Sequence, residues 1–178
     1  MNIFVLDKDP GLAARAHMDC HVPRQLMACA QLLSCAHVYL DGIELTRNRV
    51  PHAVNNMRAS EIDHKWAQWA RFSSSNYRWL RDHMQALYCE YDSRFEELPP
   101  YRELLRELIS SPLAIPIDEL RNDWPQTMPP QYRNSDPVEG YRNYYVFMKH
   151  DVGTKVTWSE PAVRPTWWFD YTEGRKHV

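Results

Sequence analysis

The stretch Asp19–Gly42, DCHVPRQLMACAQLLSCAHVYLDG, decides the fold of this chain. Its apolar side chains recur at steps of three and four residues, the spacing that places them on one face of an α-helix. The alanines between them keep the helix narrow, so neighbouring helices can approach closely. Gly42 is expected to end the helix, because glycine adopts positive φ without a steric penalty. The stretch therefore predicts a long helix in the core.

The start of this helix carries a polar cluster formed by His17, Asp19, His21 and Arg24. Free N–H groups and a partial positive charge at a helix start favour a phosphate or a developing negative charge. The cluster fits either a functional site or a capped first turn with hydrogen-bonded imidazoles, and the sequence leaves both open. No metal is expected, because the spacing supplies no third ligand. No cofactor is expected either, since the chain has no Gly-rich phosphate loop.

Composition indicates one soluble globular domain spanning residues 1–178. Apolar residues make up 44% of the chain and charged residues 25%, and there are only five glycines. Few glycines and few β-branched runs favour helices over strands. No apolar run is long enough to span a bilayer, so no membrane is expected. The four cysteines fall within predicted helices, which fits unpaired thiols in a reducing cytoplasm.

Capping signals and apolar stripes predict further helices over about 10–16, 60–72 and 76–95, and helices that begin at Pro99–Pro100 and at Pro137. Residues 2–6 are expected to form a short strand or an extended arm, and residues 43–59 a surface loop. The whole pattern predicts an all-α, single-domain helical bundle.

Two irregular regions are predicted besides these helices. Residues 111–136 are expected to form an irregular connection packed through Leu113, Ile115 and Trp124, with at most a helical turn around 118–121. Residues 151–178 form an aromatic-rich C-terminal segment that is too aromatic to be disordered and should pack on the bundle.

Charge is distributed unevenly along the chain. Residues 81–137 carry eleven acidic against six basic side chains, whereas the two flanks have a small positive excess. A polyanion would therefore bind the flanks. Arginine outnumbers lysine sixteen to five, and its planar guanidinium suits phosphate contacts and stacking on bases. The stretches 141–145 (YRNYY) and 164–171 (RPTWWFDY) interleave aromatic rings with such side chains. This mixture fits stacking on unpaired bases or, alternatively, a packed helix face and a docked tail.

Three pieces of sequence resemble the phage-type pyrimidine-dimer DNA glycosylases (endonuclease V-like). Asp19-Cys20-His21 resembles the Asp-x-His that opens the active-site helix of that family. Residues 64–91 resemble its second and third helices in spacing and residue type. Arg164-Pro-Thr-Trp-Trp168 is similar to an Arg-Pro-Thr-Trp-Tyr near its C-terminus.

The resemblance implies a base-excision glycosylase with AP-lyase activity, which acts on DNA that contains a damaged or modified base. It also implies a location in the cytoplasm, which would be that of the host if the chain is phage-encoded. The α-amino group of Met1 or Asn2 would attack the sugar and form a Schiff base, while Asp19 and His21 polarise and orient the reacting groups. The implied DNA-binding residues are Arg24, Arg71, Arg142, Tyr144, Lys149, Arg164, Trp167 and Trp168.

One position departs from that family. Its catalytic glutamate lies seven residues after the motif histidine, where this chain has Ala28, so Asp7, Asp9 or Asp19 would have to supply the carboxylate. The alternative is a non-catalytic nucleic-acid- or protein-binding module of the same fold. A small-molecule or metal-dependent enzyme ranks third, and the sequence does not indicate an oligomeric state.

Overall fold

The computed structural model describes residues 2–118, 123–150 and 155–173, and for residues 149, 150 and 173 it describes the backbone alone. This part of the chain is all-α, as predicted, and contains no strand. Its helices are Pro10–Arg15 (α1), Val22–Asp41 (α2), Ile43–Arg49 (α3), Pro51–Asn56 (α4), Lys65–Phe72 (α5), Ser74–Arg94 (α6), Arg102–Glu107 (α7), Pro137–His150 (α8) and Thr166–Glu173 (α9).

Helix α2 is the centre of the core, as its apolar spacing predicted. It packs against α3, α4, α5 and α6, and α1 packs on the outer part of α6. Leu26, Cys29 and Leu33 are fully buried on it. Burying a leucine side chain contributes about 1.5–3 kcal/mol, so this helix supplies a large part of the hydrophobic stabilisation. Gly42 ends the helix with φ 76°, which confirms the predicted stop.

Local caps define several helix starts where the sequence predicted them. Asp9 caps α1 by accepting a hydrogen bond from Leu12 N–H at 2.8 Å. Ser73 caps α6 in the same way through its hydroxyl. Asp136 accepts from the backbone N–H two residues later and precedes Pro137, the first residue of α8. Each cap satisfies N–H groups that have no partner within the helix.

Two predictions in the first half of the chain are wrong. Residues 43–59 are not a loop but contain the helices α3 and α4, which bury Thr46 and Ala53, respectively. Pro51 occupies the first position of α4. Proline is favourable there because its missing N–H would have no helical partner anyway. Ser60 starts no long helix, since it lies in a 3-10 turn and α5 begins only at Lys65.

The start of α5 depends on an unusual cap. His64 Nδ1 accepts the N–H of Trp66 at 3.2 Å. Histidine is not among the side chains that commonly cap helices, so the helix start was predicted at Ser60 instead. Helix α7 likewise begins two residues later than predicted, after Tyr101, which adopts a left-handed conformation with φ 72°.

The described parts of 111–136 are irregular, as predicted, apart from a 3-10 turn at Pro130–Tyr132. Ile115 and Trp124 are buried, but Leu113 is 64% exposed, so its predicted packing role is wrong. The Asp41 carboxylate at the end of α2 holds this segment by accepting the N–H groups of Leu113 and Ala114 at 2.9 and 3.0 Å. The predicted turn at 118–121 lies largely outside the described residues.

Residues 2–6 form an extended arm with Ile3, Val5 and Leu6 buried. The described part of the aromatic C-terminal region, residues 155–173, packs on the helices as predicted, and we call it the C-terminal segment. The prediction that it is irregular is wrong for its second half, because Thr166–Glu173 forms α9. Taken singly, none of the described helices has the length and apolarity to cross a membrane. These two criteria are met only by a pair of helical stretches taken together, Asp19–Asp41 and Ile43–Arg49, which are separated by a bend of 120°.

Candidate functional site

Asp19 lies in the short connection between α1 and α2, residues 16–21, which we call the N-terminal joint. Its two carboxylate oxygens accept hydrogen bonds from the backbone N–H and the hydroxyl of Ser159, both at 2.9 Å. Burial raises the pKa of Asp19, but hydrogen bonds from Ser159 and Thr157 and the charge of Arg94 outweigh it, so the pKa lies below its ordinary value. Asp19 is therefore an ionised group that fastens the C-terminal segment to the joint.

His21 is 4% exposed and enclosed by aromatic rings. Its Nδ1 lies 2.8 Å from the hydroxyl of Tyr145, and the ring of Phe4 stacks on it with centroids 5.5 Å apart. The same hydroxyl accepts the N–H of Met18 at 3.1 Å. Among the described residues, His21 Nδ1 is the only acceptor within hydrogen-bond distance of its buried O–H, so we assign the Tyr145 proton to this bond. The imidazole thus acts as an acceptor inside the protein.

Arg94, on the last turn of α6, has a side chain with no exposed surface. Its guanidinium donates to the Glu90 carboxylate at 2.9 and 2.5 Å and to the carbonyl oxygens of His17 and Arg15 at 2.6 and 3.0 Å. Asp19 Oδ1 lies 3.5 Å away. Arg94 therefore ties the end of α1 and the first half of the N-terminal joint to α6.

His17 occupies the interior of the joint. Its ring is fully buried beside the rings of His83, Tyr145 and His21, with centroids 5.6, 5.7 and 6.5 Å away. Burial, followed by the charges of His83, His21 and Arg94, lowers the pKa of His17 well below its ordinary value. Burial also lowers the pKa of His83 to about 4. Both rings are neutral at neutral pH.

The extended arm returns to the first turns of α2. Gln25 accepts the N–H of Phe4 at 3.1 Å and donates to the carbonyl oxygen of Asn2 at 2.9 Å. The side chain of Asn2 accepts the hydroxyl of Thr127 at 2.8 Å. Met1, whose amine is one of the two predicted nucleophiles, lies outside the described residues.

The carboxylates that could replace the family's glutamate are engaged elsewhere. Ala28, at the glutamate position, is fully buried in α2. Asp9 caps α1, and Asp7 lies 3.2 Å from Arg142. Asp19 holds Ser159 as described above. Each acid has a structural partner, and the predicted catalytic roles of Asp19 and His21 remain predictions.

The predicted DNA-binding arginines differ in their exposure. Arg24 is exposed on the first turn of α2. Arg71 is mostly covered, with its guanidinium carbon 3.7 Å from the ring centroid of Tyr39 and a hydrogen bond to the carbonyl of Ile62. Arg71 therefore stabilises the junction of α2 and α5 and offers little surface to a phosphate.

The residues predicted on α8 face the protein in part. Arg142 donates to the carbonyl of Leu6 at 2.8 Å and so holds the extended arm. Tyr144 is half-buried, with its ring 5.2 Å from that of Tyr132. The side chain of Lys149 lies outside the described residues.

The C-terminal segment presents one exposed arginine between aromatic rings. The guanidinium of Arg164 lies 5.2 Å from the ring centroid of Trp158 and 5.6 Å from that of Phe169, which is 45% exposed. We call these three residues the arginine–aromatic surface. Trp167 is half-buried, while Trp168 is buried against Trp158 with centroids 5.2 Å apart. Of the two predicted stacking tryptophans, only Trp167 retains exposed area.

Two surface cavities lie between α1 and the C-terminal segment. One of about 190 Å³ is lined by Arg15, Trp167 and Pro165, and the other, of about 540 Å³, by Arg15, Pro161 and Cys89. The side chain of Arg15 is 69% exposed. Arg15 is therefore a second accessible guanidinium, and it lies beside the C-terminal segment that carries Arg164.

An apolar groove of about 610 Å³ lies elsewhere, where the ends of α2 and α5 meet the irregular connection. Tyr39, Phe72 and Ile117 line it and are 55%, 58% and 92% exposed. Exposed apolar surface of this kind is typical of protein contacts.

The cysteines are all free. Cys29 and Cys35 are buried, and burial raises the pKa of both thiols. Cys20 and Cys89 are exposed. Among the residues that the structure describes, no three His, Cys, Asp or Glu side chains are grouped so that they could hold a metal ion.

Sequence reasoning missed the groups that complete the joint, namely Arg94, Glu90, His83 and Tyr145. The first three lie on α6, where a polar residue within an amphipathic pattern is ordinarily assigned to the solvent face. Tyr145 lay in a stretch whose inward face was expected to be apolar. No local signal marks these residues, because their partners are distant in sequence.

Comparisons of the chain with models of protein families, with curated proteins and with solved structures found no match. The resemblance to the pyrimidine-dimer glycosylases therefore rests on the residues quoted above, and the function has to be inferred from the geometry of the site.

Proposed function

We propose that this chain is a nucleic-acid-binding module that engages unpaired bases without excising them. The observation that carries the proposal is the arginine–aromatic surface, where the exposed guanidinium of Arg164 lies between the rings of Trp158 and Phe169. Single-stranded nucleic acids bind to such surfaces because bases stack on aromatic rings while cations hold the phosphates. All four cysteines are free, which fits a protein that acts in the cytoplasm. If the chain is phage-encoded, this would be the cytoplasm of the host.

The charges around this surface support the proposal. Arg15 and Arg164 project into solvent from neighbouring elements, and Lys155 is exposed at the start of the C-terminal segment. Cations on both sides of an aromatic ring can contact successive phosphates while a base occupies the ring.

The absence of excision chemistry is inferred from the residues that would perform it. Both carboxylate oxygens of Asp19 accept hydrogen bonds from Ser159, and His21 accepts from Tyr145 in the interior. A carboxylate that stabilises a cationic intermediate must be able to approach the substrate, and neither Asp19 nor the buried Ala28 position offers one.

Fluorescence anisotropy with labelled single-stranded oligonucleotides tests the binding. We expect F169A to weaken binding by about 5- to 150-fold, the range measured for removal of a base-stacking ring. R164A should also weaken binding and lower the slope of log affinity against log salt by about 1, because one phosphate contact is lost.

Arg106 provides the matched control, since it is an exposed arginine on α7 that pairs with Glu103. R106A should bind as the wild type does. The proposal is wrong if the wild type shows no salt-dependent binding, or if R164A and F169A bind as R106A does.

The second candidate is the DNA glycosylase with AP-lyase activity. It is favoured by the extended arm, which brings Asn2 to Gln25 at the start of α2, the end of the helix where the amine mechanism needs the N-terminus. Its test is borohydride trapping with duplexes that contain an abasic site or a thymine dimer. A covalent adduct that disappears when the α-amine is blocked would establish this candidate, and the absence of an adduct would reject it.

A further inference from the structure

The starting observation is a buried histidine without hydrogen-bond partners. His17 is fully buried, and neither of its ring nitrogens is bonded to any described residue. The neighbouring His83 uses one nitrogen to bond the carbonyl of Pro10 at 2.9 Å, while its other nitrogen is also buried and unbonded. Two imidazoles with centroids 5.6 Å apart thus share a site that provides no acceptor for an added proton.

The charged groups that face His17 oppose a positive charge there. Arg94 from α6 donates to the carbonyl oxygen of His17, so its fixed charge lies close to the ring. His83 from α6 and His21 from the joint are further basic groups. Tyr145 from α8 is kept neutral, because burial raises its pKa. The nearest carboxylates, Asp19 and Glu90, are bonded to Ser159 and to Arg94.

The C-terminal segment is attached to this same joint. Asp19 N–H donates to the carbonyl of Thr157 at 3.0 Å, and the indole N–H of Trp158 donates to the carbonyl of Ala16 at 3.2 Å. Together with the two bonds from Ser159 to Asp19, these contacts hold residues 157–159 against residues 16–19. Any displacement of the joint would break them together.

We infer that protonation of His17 and His83 opens the N-terminal joint and releases the C-terminal segment, so that the docking of this segment is sensitive to acid. A second positive charge beside Arg94 can be accommodated only if water reaches the rings. Opening the joint admits water while the apolar contacts of α2 with α5 and α6 remain in place. The inference goes beyond the proposed nucleic-acid binding and does not depend on it.

The direction of the effect follows from the two protonation equilibria. The pKa values of His17 and His83 lie below the ordinary 6.5 in the closed joint, because burial disfavours the charged form. In the open joint both rings are hydrated, so their pKa values return towards 6.5. The open form therefore binds more protons, and release is expected as the pH falls from about 6.5 towards 4.

The indole N–H signal of Trp158 reports the docking directly. In protein labelled with 15N-tryptophan, this signal is identified by its absence in W158F. We expect it to move to the position of a hydrated indole between pH 6.5 and 4.5, while far-UV circular dichroism stays constant. The signal of the His17 ring should titrate with the same midpoint.

Substitution separates this release from general acid unfolding. H17F fills the site with an aromatic ring that cannot be protonated, and we expect it to lower the midpoint of release by at least about one pH unit. H83F is the second variant in case H17F does not fold. H52Q, at a half-exposed histidine bonded to Glu107, is the control and should release at the wild-type pH.

Three results would overturn the inference. The first is a Trp158 signal that does not change down to pH 4.5, and the second is a change that coincides with loss of helical circular dichroism. The third is a release midpoint in H17F and H83F equal to that of the wild type. Oligonucleotide binding at pH 7.5 is measured separately, so that failure of the proposed function and failure of the acid release are distinguishable.

Discussion

Two buried histidine–tyrosine hydrogen bonds, both 2.8 Å long, lie near the two ends of helix α2. One is made by His21, just before the helix begins, and the other by His37, near its end. At the start, the Tyr145 hydroxyl accepts the N–H of Met18 and is left to donate to His21. Near the end, the Tyr77 hydroxyl donates to the carbonyl of Leu108 at 3.3 Å and is left to accept from His37. The two imidazoles therefore play opposite roles.

This difference predicts different responses to acid. His37 can take a proton on its other nitrogen and keep its bond to Tyr77. Burial and the charge of Arg49 oppose this protonation and outweigh the charge of Asp41, so the pKa of His37 is lowered to about 4. His21 uses a lone pair to accept from Tyr145, and protonation there would break the bond. The start of α2 is thus a polar junction of three chain segments, whereas the histidine near its end makes a single hydrogen-bonded pair with a tyrosine inside the core.

Acid should produce the largest effect on stability. His17, His37 and His83 have folded-state pKa values below 6.5, so the unfolded chain binds more protons below that pH. Their contribution is complete above pH 6.5 and is lost as the pH falls towards 4, by at most about 1.4 kcal/mol per pH unit for each histidine. Urea unfolding at pH 7, 6 and 5 measures the decline.

Substitution can separate the contributions of the two ends of α2 to this pH dependence of stability. H17F should remove one histidine's part of the pH dependence and leave the part that belongs to His37. An equal dependence in H17F and the wild type would show that the joint does not contribute.

Loss of the buried guanidinium should have the next largest effect. R94M leaves the Glu90 carboxylate and the carbonyl oxygens of Arg15 and His17 without their donor. We expect it to cost about 3–5 kcal/mol in urea unfolding at pH 7. R106M removes an exposed pair with Glu103 and should cost at most about 1 kcal/mol. Similar losses for the two variants would mean that Arg94 does not organise the joint.

The two tyrosines test the comparison most directly. Y145F and Y77F each remove one buried hydroxyl, and each should cost about 1–3 kcal/mol. Y145F is expected to cost more, because it strands the N–H of Met18, whereas Y77F strands the carbonyl of Leu108, and an unpaired N–H is the less tolerated group. A larger loss of stability in Y77F than in Y145F would contradict this expectation.

The smallest effects are expected at local caps. S73A removes the cap of α6, a helix of 21 residues, and should cost about 1 kcal/mol. D9A removes the exposed cap of the six-residue α1 and should cost about 0.5 kcal/mol, the lower end of the range for loss of a helix cap. Thermal unfolding measures both.

Features that depend on neighbours in sequence were predictable. Asp9, Ser73 and Asp136 cap helices through residues two or three positions later, and Gly42 ends α2 through its own backbone. The apolar stripe of α2 likewise followed from spacing alone. The short helices α3 and α4 were missed because each buries little apolar surface of its own and so shows no clear stripe.

The interior of the joint was not predictable in this way. The polar cluster of His17, Asp19 and His21 was recognised, but the sequence cannot tell whether such a cluster faces solvent or is covered. Here it is covered by Tyr145 and Arg94, which lie 124 residues from His21 and 77 from His17. Helical periodicity carries no information at such separations.

The bonds between Asp19 and Ser159 join positions 140 residues apart. A growing chain on the ribosome completes α2 and α6 long before Ser159 has been synthesised. Until then the charge of Asp19 has only Arg94 beside it, and residues 16–19 lack their cover. Final closure of the N-terminal joint must therefore await the synthesis of residues 157–159.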